Sequence, residues 1–233
     1  MISNDLDVDL WRNQLAARSR VQIRDFLQPG AAEFLRNCLA TQVPWRTAER
    51  SDSATPRTHG REGALDEAGY RAVLDAAYAD AGEHFQFVYD SYMVGRARAE
   101  GWDPELPLHA LYDFLNSDDF IAFARYLTGD TSINTVNAQA TRYRRGQFLT
   151  VHDDKNSIEG RRYAYVLNLT PRWKADWGGQ LQFLDADGNV IDTLLPRWNT
   201  LSMFKVPQPH LVSLVSPWAG EDRLAITGWM LVR

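Results

Sequence analysis

The chain has 233 residues, 45% of them hydrophobic and 24% charged, which is ordinary for a globular protein with room for one substantial core. Its net charge of −5 argues against a general nucleic-acid binder, which needs a basic surface, and no apolar run is long enough to span a bilayer. The single cysteine, Cys38, excludes a disulfide framework within the chain and a zinc site built from thiolates.

The N-terminal MISNDLDVDLW is acidic and has no apolar stretch, so it does not read as a signal peptide, and a reducing cytoplasm is the expected compartment. Val21 to Phe26 reads as a short strand. Pro29-Gly30 opens a helix that runs to about Ala40, with Phe34, Leu35 and Leu39 as its apolar stripe and Cys38 as a small buried residue. Residues 44 to 64 are rich in Ser, Thr, Arg, Pro and Gly and read as a polar loop; within it, 46–63 is a candidate lid over a peptide groove. A long helical pattern follows from about Leu65 to Glu100, and a second pair spans Leu106 to Leu127. In that pair Asn116 or Ser117 is the N-cap, Asp118 and Asp119 lie in the first turn, and Gly129 stands just past the end.

From about Asn134 the pattern changes to short runs separated by turn signals. Eight strands are expected, beginning near Val136, Phe148, Arg162, Gln180, Val190, Thr200, His210 and Arg223, with Asp187-Gly188 as a hairpin turn. Eight short strands closing one chain indicate a double-sheet jelly roll, a double-stranded β-helix with cupin-like architecture, carrying the helices on one outer face. The expected organisation is a single domain over 1–233, mainly helical to residue 133 and β-helical from 134.

Phe148 to Asp154 (FLTVHDD), if a strand, places His152 and Asp154 on one face and Asp153 on the other. His210 opens a second apolar run, HLVSLV. Two ligands from one strand and a distant histidine make a facial triad, which leaves open positions on an octahedral Fe(II). Thirteen residues after His210, Arg223 opens RLAITGWMLV. On that strand Arg223, Ala225, Thr227 and Trp229 share a face, so Arg223 lies inside beside small residues. A buried guanidinium needs an anion, and its planar fork matches a carboxylate, with the distal carboxylate of 2-oxoglutarate as the partner. Trp177-Gly178-Gly179 reads as scaffold, where paired glycines permit a sharp turn and close strand approach. Trp173, Trp198 and Trp218 read as core or rim, and His59, His84 and His109 as structural or surface residues.

The stretch from Tyr143 to Trp229 resembles the catalytic domain of the 2-oxoglutarate and iron dependent prolyl hydroxylases, most closely the ribosomal-protein prolyl hydroxylases of the Tpa1/Ofd1 type. The resemblance is carried by His152-Asp153-Asp154, Glu159-Gly160-Arg161-Arg162, the strand Tyr163 to Leu169, Trp177-Gly178-Gly179-Gln180-Leu181, Leu195-Pro196-Arg197-Trp198-Asn199, His210 with Val212 and Val215, and Arg223 to Trp229. It implies a double-stranded β-helix with iron on His152, Asp154 and His210. It also implies 2-oxoglutarate on Arg223 and Tyr143, with Thr227 lining the same pocket. Where the family carries a second tyrosine against 2-oxoglutarate, this chain has Asn168, whose amide can still hydrogen-bond a carboxylate. The family's eukaryotic members carry a second, non-catalytic β-helix domain, and the likeness here covers the catalytic domain only.

What the resemblance implies is a dioxygenase using Fe(II), 2-oxoglutarate and O2, with ascorbate as an accessory reductant, that hydroxylates a C–H bond of a prolyl residue in a protein or peptide, a ribosomal protein among them. Halogenases of the broader class lack the carboxylate ligand, so Asp154 points to hydroxylation. Two alternatives stay open at this point: a hydroxylase of a free amino acid or small metabolite, and a non-catalytic sensor of metal or 2-oxoglutarate on the same fold. No direct nucleic-acid or membrane partner is expected.

Overall fold

The computed structural model describes residues 1–50, 65–156 and 158–233, and the backbone of 56–58. Helix α1 (Val8–Arg18) is capped by the Asp7 carboxylate on the Leu10 N–H and leads into strand β1 (Arg20–Ile23). Helix α2 (Pro29–Thr41) starts on the proline, whose missing N–H costs nothing in a first turn. Its Cys38 is buried, and burial pushes the thiol up to about 11. Strands β2 (Arg46–Arg50) and β3 (Pro56–Thr58) pair with each other, so the start of the expected polar loop is strand. The remainder of the candidate lid, 51–55 and 59–63, and His59 lie outside the described residues.

The long helical pattern resolves into helix α3 (Glu67–Asp80), strand β4 (Phe87–Tyr92) and helix α4 (Val94–Glu100). β4 corrects the expectation of continuous helix: its aromatic and β-branched residues fit a pleated sheet, and its partners are all distant in sequence, β2 upstream and β6 and β7 downstream. Helices α5 (Leu108–Leu115) and α6 (Asp118–Thr128) follow. Ser117 caps α6 through the Phe120 N–H, and Gly129 ends it in the left-handed conformation.

The C-terminal half supplies β5 (Thr135–Val136), β6 (Gln139–Tyr143), β7 (Phe148–His152), β8 (Arg161–Asn168), β9 (Leu181–Leu184), β10 (Val190–Leu194), β11 (Thr200–Lys205), β12 (His210–Val212) and β13 (Arg223–Leu231). The strand expected near Val136 is thus two, β5 and β6. The hairpin expected at Asp187-Gly188 joins β9 to β10, with Gly188 at φ +84°.

All described pairings are antiparallel, and the path runs β1-β11-β8-β13-β6-β4-β7-β12-β9-β10. This nearly closed antiparallel barrel is a double-stranded β-helix. β4 is the hinge of the closure: one edge pairs with β2, and the other pairs with β6 toward its C-terminal end and with β7 toward its N-terminal end. One sheet face packs on the helices: Tyr163, Tyr165 and Leu167 of β8 and Leu224, Ile226 and Met230 of β13 join Leu35, Leu39, Leu111, Phe120 and Leu127 in the main core. The alternate residues, Ala164 and Val166 of β8 and Trp229 of β13, pack instead with Leu181, Phe183 and Phe204 inside the barrel. Arg223, Ala225 and Thr227 belong to that inward set.

Candidate active site

His152 ends β7 and His210 begins β12, and the two are cross-strand partners, so the antiparallel register brings their rings to a centroid distance of 4.1 Å. Asp154 arrives differently from the sequence expectation. β7 stops at His152, and Asp154 lies two residues beyond it at φ +61°, a conformation that Asp tolerates better than most residues. The carboxylate therefore reaches the histidines through a turn after the strand rather than by strand alternation. Its Oδ1 is 3.5 Å from His152 Nε2 and its Oδ2 3.6 Å from His210 Nε2. One ligand atom from each of the three residues lies within 4.8 Å of the other two, and they are the only such group of three among the described residues.

The ring nitrogens not facing this point are committed. His152 Nδ1 donates to the Thr150 carbonyl (3.0 Å), and His210 Nδ1 to the Gln208 carbonyl (2.8 Å). Each bond fixes the tautomer that leaves the Nε2 lone pair free for a metal. Burial, and then the neighbouring His152, push His210 down to about 4, so this imidazole is neutral near pH 7. Burial opposes ionisation of Asp154, but hydrogen bonding to His152 and the fields of His210 and His152 outweigh it and hold the carboxyl below its usual range. Two imidazoles and one carboxylate on converging vectors suit a divalent cation with open positions. Arg161 borders Asp154, with Nη1 3.6 Å from Oδ1, and its guanidinium lies 3.6 Å above the Trp229 ring.

Arg223 is 3% exposed, and its Nε has no hydrogen-bond partner. It sits opposite Tyr143 in the β13–β6 register, with its guanidinium 5.1 Å from that ring centroid. Burial lowers its basicity and also drives the Tyr143 phenol far above its ordinary value. Gly179 allows this placement. A Cβ there would stand 3.0 Å from Trp173 Cζ2, 3.1 Å from Val215 and 3.5 Å from Arg223 Cδ. Its neighbour Gly178 approaches the Leu214 carbonyl so closely that a Cβ would fall 1.9 Å from the oxygen, which makes this pair the scaffold that the sequence suggests.

Asn168 is buried opposite Ala225 and Thr200. Its Nδ2 donates to Thr200 Oγ1 (3.1 Å) and Ser202 Oγ (3.3 Å), while its Oδ1 has no partner. The position thus offers an acceptor where a carboxylate requires a donor. Thr227 is half-buried between Ala225 and Trp229, opposite Val166 and Gln139. His84 is paired with Asp80 and His109 with the carbonyls of Trp102 and Asp103, in the helical part of the chain. Trp218 is exposed and Trp173 and Trp198 half-buried, as core or rim.

Sequence reading missed the wall contributed by β4 and the residues before it. Phe85, Phe87 and Tyr89 alternate along one face, with neighbouring ring centroids 5.8 and 5.3 Å apart. Phe85 lies 5.5 Å from His152 at one end, and Tyr89 stacks at 5.2 Å on Tyr143 at the other. The row connects the candidate metal site to the Arg223 pocket. Its signal was the i, i+2, i+4 aromatic spacing, which a strand displays on one face.

Residues 138–231 match a family model described as the 2OG-Fe(II) oxygenase superfamily, a segment that holds all seven candidate site residues. The chain is 35% identical over 120 residues to "Prolyl 3-hydroxylase OGFOD1" of Xenopus laevis, covering 47% of this chain and 23% of that protein. With the Mus musculus protein of the same name it is 34% identical over 119 residues, covering 48% and 21%. The chain thus spans less than a quarter of the length of these relatives. Among solved structures it is similar to a Pseudomonas putida prolyl-4-hydroxylase (TM-score 0.59, 19% identity, 97% of this chain and 99% of the other). It is also similar to a Trichoplax adhaerens prolyl hydroxylase solved with a hypoxia inducible factor peptide fragment (TM-score 0.63, 18% identity, 97% and 89%). Those two likenesses speak for the fold. Over 138–231 the chain is therefore similar to the 2OG-Fe(II) oxygenase superfamily, and the His152, Asp154 and His210 cluster that could hold a metal ion lies within that segment.

Proposed function

We propose that this chain hydroxylates a prolyl residue of a protein or peptide, with Fe(II) on His152, Asp154 and His210 and the distal carboxylate of 2-oxoglutarate on Arg223. The observation that carries the site assignment is Arg223 itself. It is a guanidinium buried beside Tyr143, with an Nε that lacks any partner, in a barrel whose other end gathers three side chains that could hold a metal ion. A dry, unpaired guanidinium is costly unless an anion meets it. The donor set fits the metal equally well, since both Nδ1 atoms are engaged and both Nε2 atoms converge on the Asp154 carboxylate.

Bound at this site, iron and 2-oxoglutarate supply the O2 activation that C–H hydroxylation needs. The chain's own residues bind, orient and exclude water. Arg223 neutralises and aligns one carboxylate through its planar fork. Tyr143 presents a phenol that stays protonated at every physiological pH and donates toward the same anion. Burial also raises Tyr89, to about 12, so the stacked pair stays uncharged and shields the pocket. Thr227 and Ala225 leave room alongside.

The prolyl reading rests on the curated relatives of Xenopus laevis and Mus musculus, and on the row Phe85, Phe87 and Tyr89, an apolar wall on which a pyrrolidine ring packs well. A ribosomal protein of the cytoplasm is the substrate that the sequence resemblance favours. No helix among the described residues is long and apolar enough to cross a membrane. The deciding experiment incubates the protein with Fe(II), 2-oxoglutarate, O2 and ribosomal proteins or proline-containing peptides. Peptide mass spectrometry then seeks the gain of one oxygen on proline, with succinate as the coproduct. Succinate released only with a free amino acid would favour a small-molecule hydroxylase, and metal binding with no succinate from any substrate would favour a sensor.

A further inference from the structure

We propose that Arg20, on β1 and far from the ligands in sequence, is a positioning residue for the metal centre and acts through Gln208. The inference rests on the ligand set assigned above. Gln208 touches both ligand-bearing segments. Its backbone N–H donates to the Asp153 carbonyl (3.3 Å), between His152 and Asp154, and its own carbonyl accepts the His210 Nδ1–H (2.8 Å). A shift of Gln208 therefore moves His210 relative to the other two ligands.

The Gln208 side chain is held by Arg20, whose Nη1 donates to Oε1 at 3.1 Å. Arg20 is braced in turn. Its Nε donates to Asp192 Oδ2 on β10 at 2.7 Å, and its guanidinium lies 5.0 Å from the Phe183 ring centroid. Phe183 meets Phe204 edge to face at 5.1 Å, and the Phe204 ring stands 4.6 Å from that of His210. One guanidinium thus supports both the polar hold on His210 Nδ1 and the aromatic wall against its ring. A planar fork suits two acceptors and an aromatic face together, which a lysine ammonium does not. Arg20 also links β1 to β10, the two ends of the strand path, beside a surface cleft of about 350 Å³. Arg18 contacts the same Asp192 oxygen at 2.8 Å but is 59% exposed and does not reach Gln208, which makes it the natural control.

The test is Co(II) titration of the full chain, followed by affinity and by the d–d absorption of the bound ion, neither of which needs turnover. Arg20→Met and Gln208→Leu should each weaken Co(II) binding about tenfold, the usual effect of losing a group that orients a ligand, and alter the spectrum. The double variant should be no weaker than the worse single by more than about twofold, because both act along one connection. Arg18→Met should stay within about twofold of wild type. If folded Gln208→Leu keeps the wild-type affinity and spectrum, or if the two losses add in full, the proposal is overturned. Should Arg20→Met not fold, Gln208→Leu at its half-exposed position decides. His210→Ala separates the two levels of inference. Tight Co(II) binding retained there would remove the ligand assignment, whereas loss there together with unaffected Gln208→Leu would remove only the role of Arg20.

Discussion

The two ends of the barrel interior differ in how complete they are without a ligand. At the histidine end each non-coordinating ring nitrogen has a carbonyl partner, and the carboxylate lies among groups that favour its charge. At the arginine end a buried guanidinium nitrogen and the Asn168 oxygen have no partner. The first end is satisfied by the chain's own groups. The second carries an unmet cost that a ligand relieves, so binding energy and apo stability pull against each other there.

The sharpest way to break this comparison is at the finished end. Asp154→Ala should lower turnover roughly 10³-fold or more, because the metal contributes several kcal/mol to the reaction. Circular dichroism should show an intact fold, since Asp154 lies beyond the end of β7 and joins no strand pairing. Succinate release at the wild-type rate would strike Asp154 from the ligand set. The next largest effect belongs to the incomplete end. Arg223→Leu should raise the KM for 2-oxoglutarate about 100-fold, the scale of losing one partner of a buried charged pair. The ligand-free variant should melt no lower than wild type, because an unpaired buried cation has been replaced by an apolar side chain. Thermal shifts should also show that added 2-oxoglutarate stabilises the wild type and not the variant. A destabilised apo variant with unchanged KM would mean that Arg223 serves packing alone. Tyr143→Phe, which removes only the hydroxyl, should raise the same KM about tenfold or less, in line with one hydrogen bond to a charged group. A change as large as that from Arg223→Leu would make the phenol the primary anchor.

The residues at the two ends were legible to different degrees. His210 and Arg223 each open an apolar strand, and His152 closes one, so local pattern located all three. Asp154 was found for a reason that the backbone does not obey, because its left-handed turn leaves no mark distinct from strand alternation in a run such as FLTVHDD. β4 was hidden because its one local signature, the alternation of Phe85, Phe87 and Tyr89, is short and lies between two helical patterns. It becomes a strand by pairing with β6 and β7, about 50 to 60 residues later. Tyr89 and the aromatic row were lost with it. Arg20 escaped for the same physical reason: its contact with Gln208 spans 188 residues, and no composition or periodicity encodes such a pairing. Chemistry that resides in one strand could be read, and chemistry created by closing the barrel could not.

Asn168 gives the smallest effect and the finest test of the contrast between the two ends. The sequence resemblance puts it against the cosubstrate carboxylate, but its hydrogen bonds argue for another part. Thr200 Oγ1 donates its own proton to the Arg197 carbonyl (2.9 Å), so toward Asn168 it can only accept. Gln22 Nε2 already donates to Ser202 Oγ at 3.0 Å. These commitments hold the Asn168 NH2 toward β11 and turn Oδ1 away as a bare acceptor, which repels a carboxylate and favours water or a hydroxyl donor. Asn168→Ala should therefore change the KM for 2-oxoglutarate by less than about threefold, while stability falls by about 1 kcal/mol for the lost hydrogen bonds. A KM increase approaching that of Arg223→Leu, with Thr200→Val leaving KM unchanged, would show that the amide turns over on binding and donates to the cosubstrate after all.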